Sequence, residues 1–324
     1  MRSKLSTPRK SHRCDEEAYN GERFCYYTHT SEHSLSTFQN RIWFLHNLLE
    51  DTSALNFTII CHAHGKPKLA ALQQAIDELI KRNEILRTAY SEGEEFSEQV
   101  VLRSSSTQIQ TVDFSAYSDS DLELRLYTKE FRALPLDIER GKVMRLSLAK
   151  LSDLRYAMVF VFHHIAVDNS STKSAIDQFT ALYGAIESGK DPSLVMAPKI
   201  SYSAFTLWHM KKLQSPHVQS DMDWWREKFT GAPSANKLLP FARCERTRIC
   251  SSERSILRDA LELPLLKRMK RISSKLNATP FQFLMTALRA FIHRYTQEDD
   301  LAILMIDGNR PTRILATFLA SLLT

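Results

Sequence analysis

The chain has 324 residues, of which 43% are hydrophobic and 25% are charged, a composition typical of globular proteins. No apolar run approaches the ~20 residues that a membrane-spanning helix needs, so we expect no membrane association. Much of the net charge of +6 lies in residues 1–13 and the rest of the chain is nearly balanced, which argues against a nucleic-acid partner.

The five cysteines are widely spaced, odd in number and contain no C-x-x-C pair. This pattern favours reduced thiols, and no apolar signal segment follows residues 1–13, so we expect a cytoplasmic protein. His62 and His64 share one face of a predicted strand but have no third ligand nearby. Zinc takes three or four protein ligands, so we expect no metal site.

Residues 1–33 are predicted to form a flexible basic arm. After it, LSTFQNRIWFLHNL places apolar residues at helical spacing behind a possible N-cap, Ser36. NFTIICHAHG is typical of a strand that ends at Gly65. KLAALQQAIDELIKRNEILRTAY carries its apolar residues on one face, which predicts a long amphipathic helix.

QVVLRS and QIQTVDF predict short strands, and DLELRLYTKEFRALPLDI predicts a helix followed by extended chain broken at Pro135. VMRLSLAKL and RYAMVFVFHH are typical of paired strands. SSTKSAIDQFTALYGAIESGK has serine caps, an apolar stripe and a stop at Gly189, which predicts a helix. Together these α/β elements predict an N-terminal lobe over residues 34–187.

Residues 188–200 contain proline and glycine between two periodic regions and predict a linker between lobes. The C-terminal lobe, residues 201–324, has predicted helices in DMDWWREKFTGAPS, PLLKRMKRISSKLN and TPFQFLMTALRAFIHRYT. SILRDALEL and DLAILMIDGNRP predict strands. Two lobes of roughly 150 residues suit the length of the chain.

One stretch stands out for its chemistry. FVFHHIAVDNSST, residues 160–172, ends an apolar strand on two adjacent histidines and has an aspartate four residues beyond the second. Histidine titrates near neutral pH, which suits general acid–base catalysis. Adjacent histidines also occur as buried imidazoles with backbone partners, and the residues alone leave both interpretations open.

The stretch FHHIAVDN resembles the H-H-x-x-x-D-G motif of nonribosomal peptide synthetase condensation domains. SLSTFQNRIWFL, RNEILRTAY and YSAFTLW resemble three further motifs of that family, in the family's order. WWREKFTGAP, TPFQFLMTALRAFIHRYTQEDDLAI and IDGNRP resemble its C-terminal lobe, in the form found in fungal polyketide–peptide hybrid synthases. The similarity covers residues 34–310.

The resemblance implies an α/β, two-lobed chloramphenicol-acetyltransferase-like fold with a tunnel between the lobes. In this family an amine attacks an acyl thioester and forms an amide bond, with both substrates carried on phosphopantetheine arms. The implied partners are acyl and peptidyl carrier domains and other modules of a synthase. No directly bound cofactor is implied.

The resemblance names His164, His163 and Asp168 as the site residues. His164 is expected to be a general base, or the hydrogen-bonding group that positions a neutral amine, and the sequence leaves both roles open. His163 is expected to pack behind the turn. Asp168 is expected to brace the motif loop through an arginine, for which Arg310 of GNRP is the best candidate.

Three positions depart from the family pattern. Asn169 replaces a glycine, Asn83 replaces the histidine of RNEILRTAY's motif, and Ala204 replaces the aspartate of YSAFTLW's motif. Asparagine tolerates a positive φ better than most residues, so we expect the turn to survive, although the side chain enters space meant for substrate. Asn169 and Arg87 are expected to support the motif structurally.

The last stretch, PTRILATFLASLLT, resembles the family's G-F-F-x-N motif only loosely. The resemblance therefore implies a C-terminally truncated domain with an incomplete second lobe and an uncovered apolar end. Exposed apolar patches favour association, so we expect the isolated chain to associate, precipitate or lack activity.

Two other functions remain open. One is a stand-alone acyltransferase of the wider H-x-x-x-D superfamily that uses acyl-CoA, although the D-F-G-W-G stretch of its plant members is missing. The other is a catalytically dead remnant that binds carrier domains. Cyclisation and epimerisation variants are disfavoured, because their diagnostic motifs are missing.

Overall fold

The computed structural model of the chain describes residues 35–93, 97–195, 197, 200–231, 259–297, 299–301, 303 and 305, with Ser170 by its backbone alone, and the backbone of residues 16–19, 22–25 and 32–34. These residues fall into two compact units. The first unit reaches Ser215, and the second covers Pro216–Met305. No helix in these ranges is long and apolar enough to cross a membrane.

The first unit is mixed α/β. Its strands are β1 (Glu16–Tyr19), β2 (Glu22–Cys25), β3 (Glu32–Ser34), β4 (Asn56–His64), β5 (Thr88–Glu92), β6 (Ser97–Val101), β7 (Ile109–Asp113), β8 (Met144–Ser152) and β9 (Arg155–His163). Its helices are α1 (Thr37–Leu48), α2 (Leu69–Arg82), α3 (Ser120–Ala133), α4 (Asn169–Glu187) and α5 (Tyr202–Leu213). The strands form a β1-β2 hairpin, a β3-β6-β5 sheet and a β4-β9-β8-β7 sheet.

The four-stranded sheet is the centre of the unit, and β9 lies inside it. β9 pairs antiparallel with β4 on one edge and with β8 on the other, while β7 joins β8 in parallel. All four residues of Val159–Phe162 are fully buried. The continuous apolar run RYAMVFVF therefore reflects a strand covered on both faces, and the predicted pairing with VMRLSLAKL is confirmed.

Different helices pack on the two faces of the sheet. Alternate residues of a strand point to opposite faces. On one face, the hydroxyl of Tyr127 in α3 donates to Ser147 Oγ at 2.9 Å. On the other, the Phe179 ring of α4 packs edge-on to Phe160, with centroids 5.3 Å apart. The β9 strand is therefore held between α3 and α4.

Helix α2 ends earlier than its apolar pattern predicts. The periodicity continues into RNEILRTAY, but α2 stops at Arg82, and residues 84–87 form a 3-10 helix that leads into β5. Asn83 is buried, and its amide donates to the Leu79 carbonyl at 2.8 Å and to Gln178 Oε1 of α4 at 3.1 Å. This contact to a distant helix fixes the end of α2.

The start of the predicted linker is attached to α2. The guanidinium of Arg82 donates to the carbonyls of Val195, at 2.7 Å, and Pro192, at 2.8 Å. It also pairs with Glu78 one turn earlier on α2. The boundaries that the sequence gives for the arm, the two lobes and the linker at residues 188–200 stay predictions.

The second unit contains α6 (Pro216–Phe229), α7 (Leu263–Lys275) and α8 (Pro280–Thr296) among its described residues. α7 packs against α8. α8 begins as predicted, with Pro280 in its first turn behind a capping box between Thr279 and Gln282. Of the strand predicted in SILRDALEL, residues 259–262 are described and are not in a strand, and Leu263 begins α7, so this part of the prediction is wrong. The rest of that segment, most of DLAILMIDGNRP and the final stretch lie outside the described residues.

Gly141 provides a test of the first unit. It has a φ of +68°, and a Cβ there would lie 2.7 Å from Leu102 Cδ1. Because L-residues adopt this backbone conformation only with strain, we expect Gly141→Ala to lower the free energy of unfolding by about 1–3 kcal/mol, as measured by urea denaturation. The matched control is Gly184→Ala within α4, where the added methyl meets nothing within 4 Å. That change should stabilise the protein by about 1 kcal/mol, and equal midpoints for both variants would contradict the prediction.

Candidate active site

The histidine pair lies at the point where β9 gives way to α4. His163 is the last residue of β9, and its backbone N–H donates to the Val143 carbonyl at 2.9 Å. The backbone N–H of His164 donates to the Leu55 carbonyl at 2.8 Å. The His163 carbonyl then accepts from Ala166 N–H at 3.1 Å, which closes the turn. Hydrogen bonds to the segments before β8 and before β4 therefore fix the backbone of both histidines.

The ring of His164 has a defined tautomer. Its Nδ1 lies 3.0 Å from the Val167 carbonyl oxygen. A carbonyl can only accept a hydrogen bond, so the neutral ring carries its proton on Nδ1 and its lone pair on Nε2. Phe38 and Phe57 pack edge-to-face against the ring, with centroids 5.1 and 4.4 Å away. His164 is partly exposed, so the fixed ring is open to solvent on one side.

His163 has the opposite surroundings. It is 1% exposed, its Nδ1 accepts from the Ile165 N–H at 3.2 Å, and its Nε2 lies 3.3 Å from Nδ1 of His46. Burial, with smaller contributions from His46 and His164, lowers the pKa of His163 to about 3. The ring is therefore neutral at physiological pH, which favours a structural role for His163.

Asp168 caps the helix that follows the turn. Its side chain is 1% exposed, and Oδ1 accepts from the backbone N–H of Ser171 at 2.7 Å and from the Ser171 hydroxyl at 2.6 Å. The Ser171 hydroxyl oxygen in turn accepts from the Asp168 N–H at 2.7 Å. Asp168 thus ties the turn to the first residues of α4. Arg310, its predicted partner, lies outside the described residues, so that ion pair stays a prediction.

The other predicted support residues lie at two places in the first unit. Asn169 is the first residue of α4; it is exposed, and its backbone is not left-handed. The glycine that the family has here is therefore not required by the backbone of this chain. The Arg87 guanidinium donates to the Leu102 carbonyl beside β6. The support that either residue gives to the motif stays a prediction.

A buried polar cluster holds the start of α1 beside the motif. Ser36 caps α1 in a reciprocal capping box with Gln39. The Ser36 hydroxyl lies 2.6 Å from the hydroxyl of Tyr202 in α5. The Gln39 amide nitrogen donates to the Tyr90 hydroxyl of β5 at 3.3 Å and to Gln99 Oε1 of β6 at 3.1 Å. The sequence stretches SLSTFQNRIWFL, RNEILRTAY and YSAFTLW, which carry three of the family motifs, meet in this cluster.

The two phenols of this cluster are uncharged at neutral pH. Burial raises the pKa of Tyr90, and likewise the pKa of Tyr202, well above the ordinary tyrosine value. Each phenol therefore retains its proton for hydrogen bonding. The cluster consists of neutral groups, which lets it stay buried without a charge to compensate.

The partners of two predicted residues, Gln39 of Ser36 and Ser171 of Asp168, were not predicted, and neither was His46. The D-x-x-S spacing of Asp168 and Ser171 and the S-x-x-Q spacing of Ser36 and Gln39 resemble capping boxes, and these spacings are visible in the sequence. His46 has no such signal, because its partner lies 117 residues away. Among the described residues, no group of three or more His, Cys, Asp or Glu side chains is arranged to hold a metal ion.

Comparison with known proteins shows the family of the chain. The condensation-domain profile matches residues 29–319. The chain therefore belongs to the condensation-domain family, and the resemblance derived from its motifs is confirmed.

Its relatives include two fungal synthetases. The hybrid PKS-NRPS synthetase pynA of Aspergillus niger is 45% identical over 277 residues, which cover 86% of this chain and 7% of the synthetase. The hybrid PKS-NRPS synthetase pyvA of Aspergillus violaceofuscus is 40% identical over 280 residues, covering 86% of this chain and 7% of pyvA. The chain thus spans a small part of the length of these relatives.

Solved structures confirm the α/β class and the condensation-domain fold. The condensation domain of the Monacolin K polyketide synthase MokA aligns with a TM-score of 0.74 at 21% identity, covering 91% of this chain and 66% of that one. The first condensation domain of the calcium-dependent antibiotic synthetase aligns with a TM-score of 0.73 at 17% identity, covering 90% and 68%.

The cap at Asp168 gives a stability prediction. Asp168→Ala removes the acceptor for the Ser171 N–H, and we expect the free energy of unfolding to fall by about 1–2 kcal/mol. Asp168→Asn keeps an acceptor and should lose less. Asp119→Ala removes the equivalent cap of α3, whose side chain accepts from Leu122 N–H at 2.8 Å, and is the matched control away from the motif. The free energy of unfolding of all three variants is measured by urea denaturation. An Asp168→Ala protein as stable as the wild type would contradict the bracing role.

The buried His163 gives a pH prediction. Its pKa is about 3 in the folded chain, against an ordinary value of 6.5, so between these values the unfolded chain binds more protons. Stability should therefore fall as the pH decreases below 6.5, with a slope of up to about 1.4 kcal/mol per pH unit from this group. His46, whose pKa burial also lowers, adds a slope of the same sign.

His163→Asn tests the assignment, because the amide oxygen still accepts from Ile165 N–H but does not titrate. We expect a shallower dependence of the unfolding free energy on pH between 7.5 and 4.5. An unchanged slope in this variant would show that His163 is not the group responsible.

Proposed function

We propose that this chain is an acyltransferase that forms an amide bond between a carrier-bound acyl thioester, polyketide or peptidyl, and the amine of a carrier-bound aminoacyl group. The observation that carries the proposal is the state of His164. Its Nδ1–H is held by the Val167 carbonyl, and Nε2 is left as the nitrogen with a lone pair on a partly exposed ring.

The chemistry of amide formation matches that lone pair. The amine nitrogen bonds to the carbonyl carbon, the carbon–sulfur bond breaks, and the nitrogen must lose one proton. His164 Nε2 accepts this proton, or an N–H hydrogen bond that positions the amine, and the departing sulfur takes up a proton as it leaves as a thiol. Such general-base participation is worth about 10²–10⁴ in rate.

His163 and Asp168 support His164 without contacting the substrate. His163 is neutral and buried, so it neither competes for the amine proton nor places a positive charge beside His164. Asp168 uses its carboxylate to cap α4, which holds the end of the turn that carries Val167. We assign both residues as supports of His164 rather than as groups that touch substrate.

The relatives suggest the setting of the reaction. Hybrid PKS-NRPS synthetases are among the most similar curated proteins, so we propose acyl and peptidyl carrier domains as partners, in secondary-metabolite biosynthesis. The substrates would arrive on phosphopantetheine arms, and the chain itself would bind no cofactor. A cytoplasmic location fits these partners.

The test uses small thioesters in place of carriers. The full chain is incubated with an octanoyl pantetheine thioester and the N-acetylcysteamine thioester of leucine, and the N-octanoyl-leucyl product is measured by mass spectrometry. We expect His164→Ala to reduce its formation by about 10²–10⁴ while the fold stays intact by circular dichroism. His62→Ala, on the exposed end of β4, should keep the wild-type rate.

Other outcomes would identify the alternatives. Thiol release from octanoyl-CoA with a free amine, but no reaction with the leucine thioester, would indicate a stand-alone H-x-x-x-D acyltransferase. Binding of a phosphopantetheine-bearing carrier domain without product would indicate a catalytically dead remnant. Full activity in His164→Ala would overturn the assignment of His164.

A further inference from the structure

His46 contacts the buried side of the histidine pair from α1. It lies on the helix that also carries Phe38, the residue packed against His164. The His46 ring stacks on the buried Trp43, with centroids 6.0 Å apart and planes 13° from parallel, and meets the His163 ring edge-on at 5.2 Å. Trp43 therefore sets the orientation in which His46 meets His163.

The direction of the hydrogen bonds in this cluster follows from one donor. The backbone N–H of Ile165 can only donate, and it points to Nδ1 of His163 at 3.2 Å. Neutral His163 then carries its proton on Nε2, which lies 3.3 Å from His46 Nδ1. His46 Nδ1 must be the acceptor. Ile165, His163 and His46 thus form a chain of hydrogen bonds that runs in a single direction.

This chain is connected to His164 through the turn. Ile165 follows His164 directly, and the His163 carbonyl accepts from the N–H groups of Ala166 and Val167. The Val167 carbonyl is the group that holds the proton on His164 Nδ1. If His46 offered no acceptor, the buried Nε2–H of His163 would be unsatisfied. His163 would then gain by changing tautomer or rotating, and its bond to Ile165 would be lost.

We propose that His46 is a positioning residue for the reaction: by accepting the Nε2–H of His163, it stabilises the His163 tautomer that the Ile165 N–H selects and, through Ile165 and Val167, the tautomer of His164. The effect on rate rests on the function proposed above. The effect on the tautomers is independent of that function and is measured separately.

The first measurement needs no variant at the proposed residue. The full chain is labelled with ¹⁵N-histidine, and long-range ¹H–¹⁵N spectra at pH 7.5 report which ring nitrogen carries each proton. We expect Nε2–H for His163, Nδ1–H for His164 and an unprotonated Nδ1 for His46. His163→Asn and His164→Ala assign the signals. A wild-type spectrum with the proton of His163 on Nδ1 would overturn the proposal.

The second measurement compares three substitutions. His46→Leu keeps an apolar side chain against Trp43 but has no acceptor, whereas His46→Asn places an amide oxygen near the position of Nδ1. In His46→Leu we expect a mixture of His164 tautomers and a rate of amide formation lowered about 10-fold, the size expected for one unsatisfied buried donor. His46→Asn should restore the single His164 tautomer and most of the rate. His62→Leu, on the exposed end of β4, is the control.

The outcomes separate the two proposals. A single, unchanged His164 tautomer in His46→Leu would refute the positioning role, whatever the rate. A changed tautomer, in a protein whose wild type makes no amide, would support the effect of His46 on the tautomers and refute the proposed function. If His46→Leu does not fold, the wild-type spectrum still tests the chain of hydrogen bonds: a proton on His163 Nε2 supports it, and a proton on Nδ1 refutes it.

Discussion

The site depends on the way the N-terminus of α1 is buried. A helix start in a protein core exposes backbone N–H groups that have no partners within the helix, and each unsatisfied one costs about 1–3 kcal/mol. Ser36 and Gln39 satisfy two of them reciprocally, and Tyr202, Tyr90 and Gln99 bond the side chains of the cap. Groups from α5, β5 and β6 therefore fix the axis of α1, and α1 in turn places one ring against each member of the histidine pair.

The two neighbouring histidines differ in burial because their side chains point to opposite sides of the strand. Side chains of a β-strand alternate, so His163 follows the side of Val161 and His164 follows the side of Phe162. His163 meets His46 in the protein interior and stays neutral. His164 lies beside Phe57, the cross-strand partner of Phe162, at the partly exposed end of the sheet. A single step along the backbone thus separates a packing residue from one able to accept a proton.

The sequence predicts the features that depend on local pattern. The apolar strands, the cap at Ser36 and the strand-to-helix turn follow from periodicity and capping chemistry, and all are present. The predicted end of α2 is wrong. Asn83 is held by Gln178 of another helix, a contact that no local pattern encodes. The pair of His46 and His163 was missed for the same reason. Motif resemblance located His164, whereas the state of its ring depends on a carbonyl that only the folded turn brings near.

The position of β9 between β8 and β4 has a consequence for how the protein folds. β8 and β9 are joined by a short turn, so they can form a hairpin early in folding, because closing so small a loop costs little chain entropy. β4 lies about 100 residues earlier in the chain, and its pairing with β9 is among the non-local contacts that slow folding. The hydrogen bond that His164 makes to Leu55 belongs to that late pairing. A partly folded chain can therefore hold the finished hairpin with its histidines while the site is still unassembled, so the complete arrangement around the histidine pair should form only in the last cooperative step.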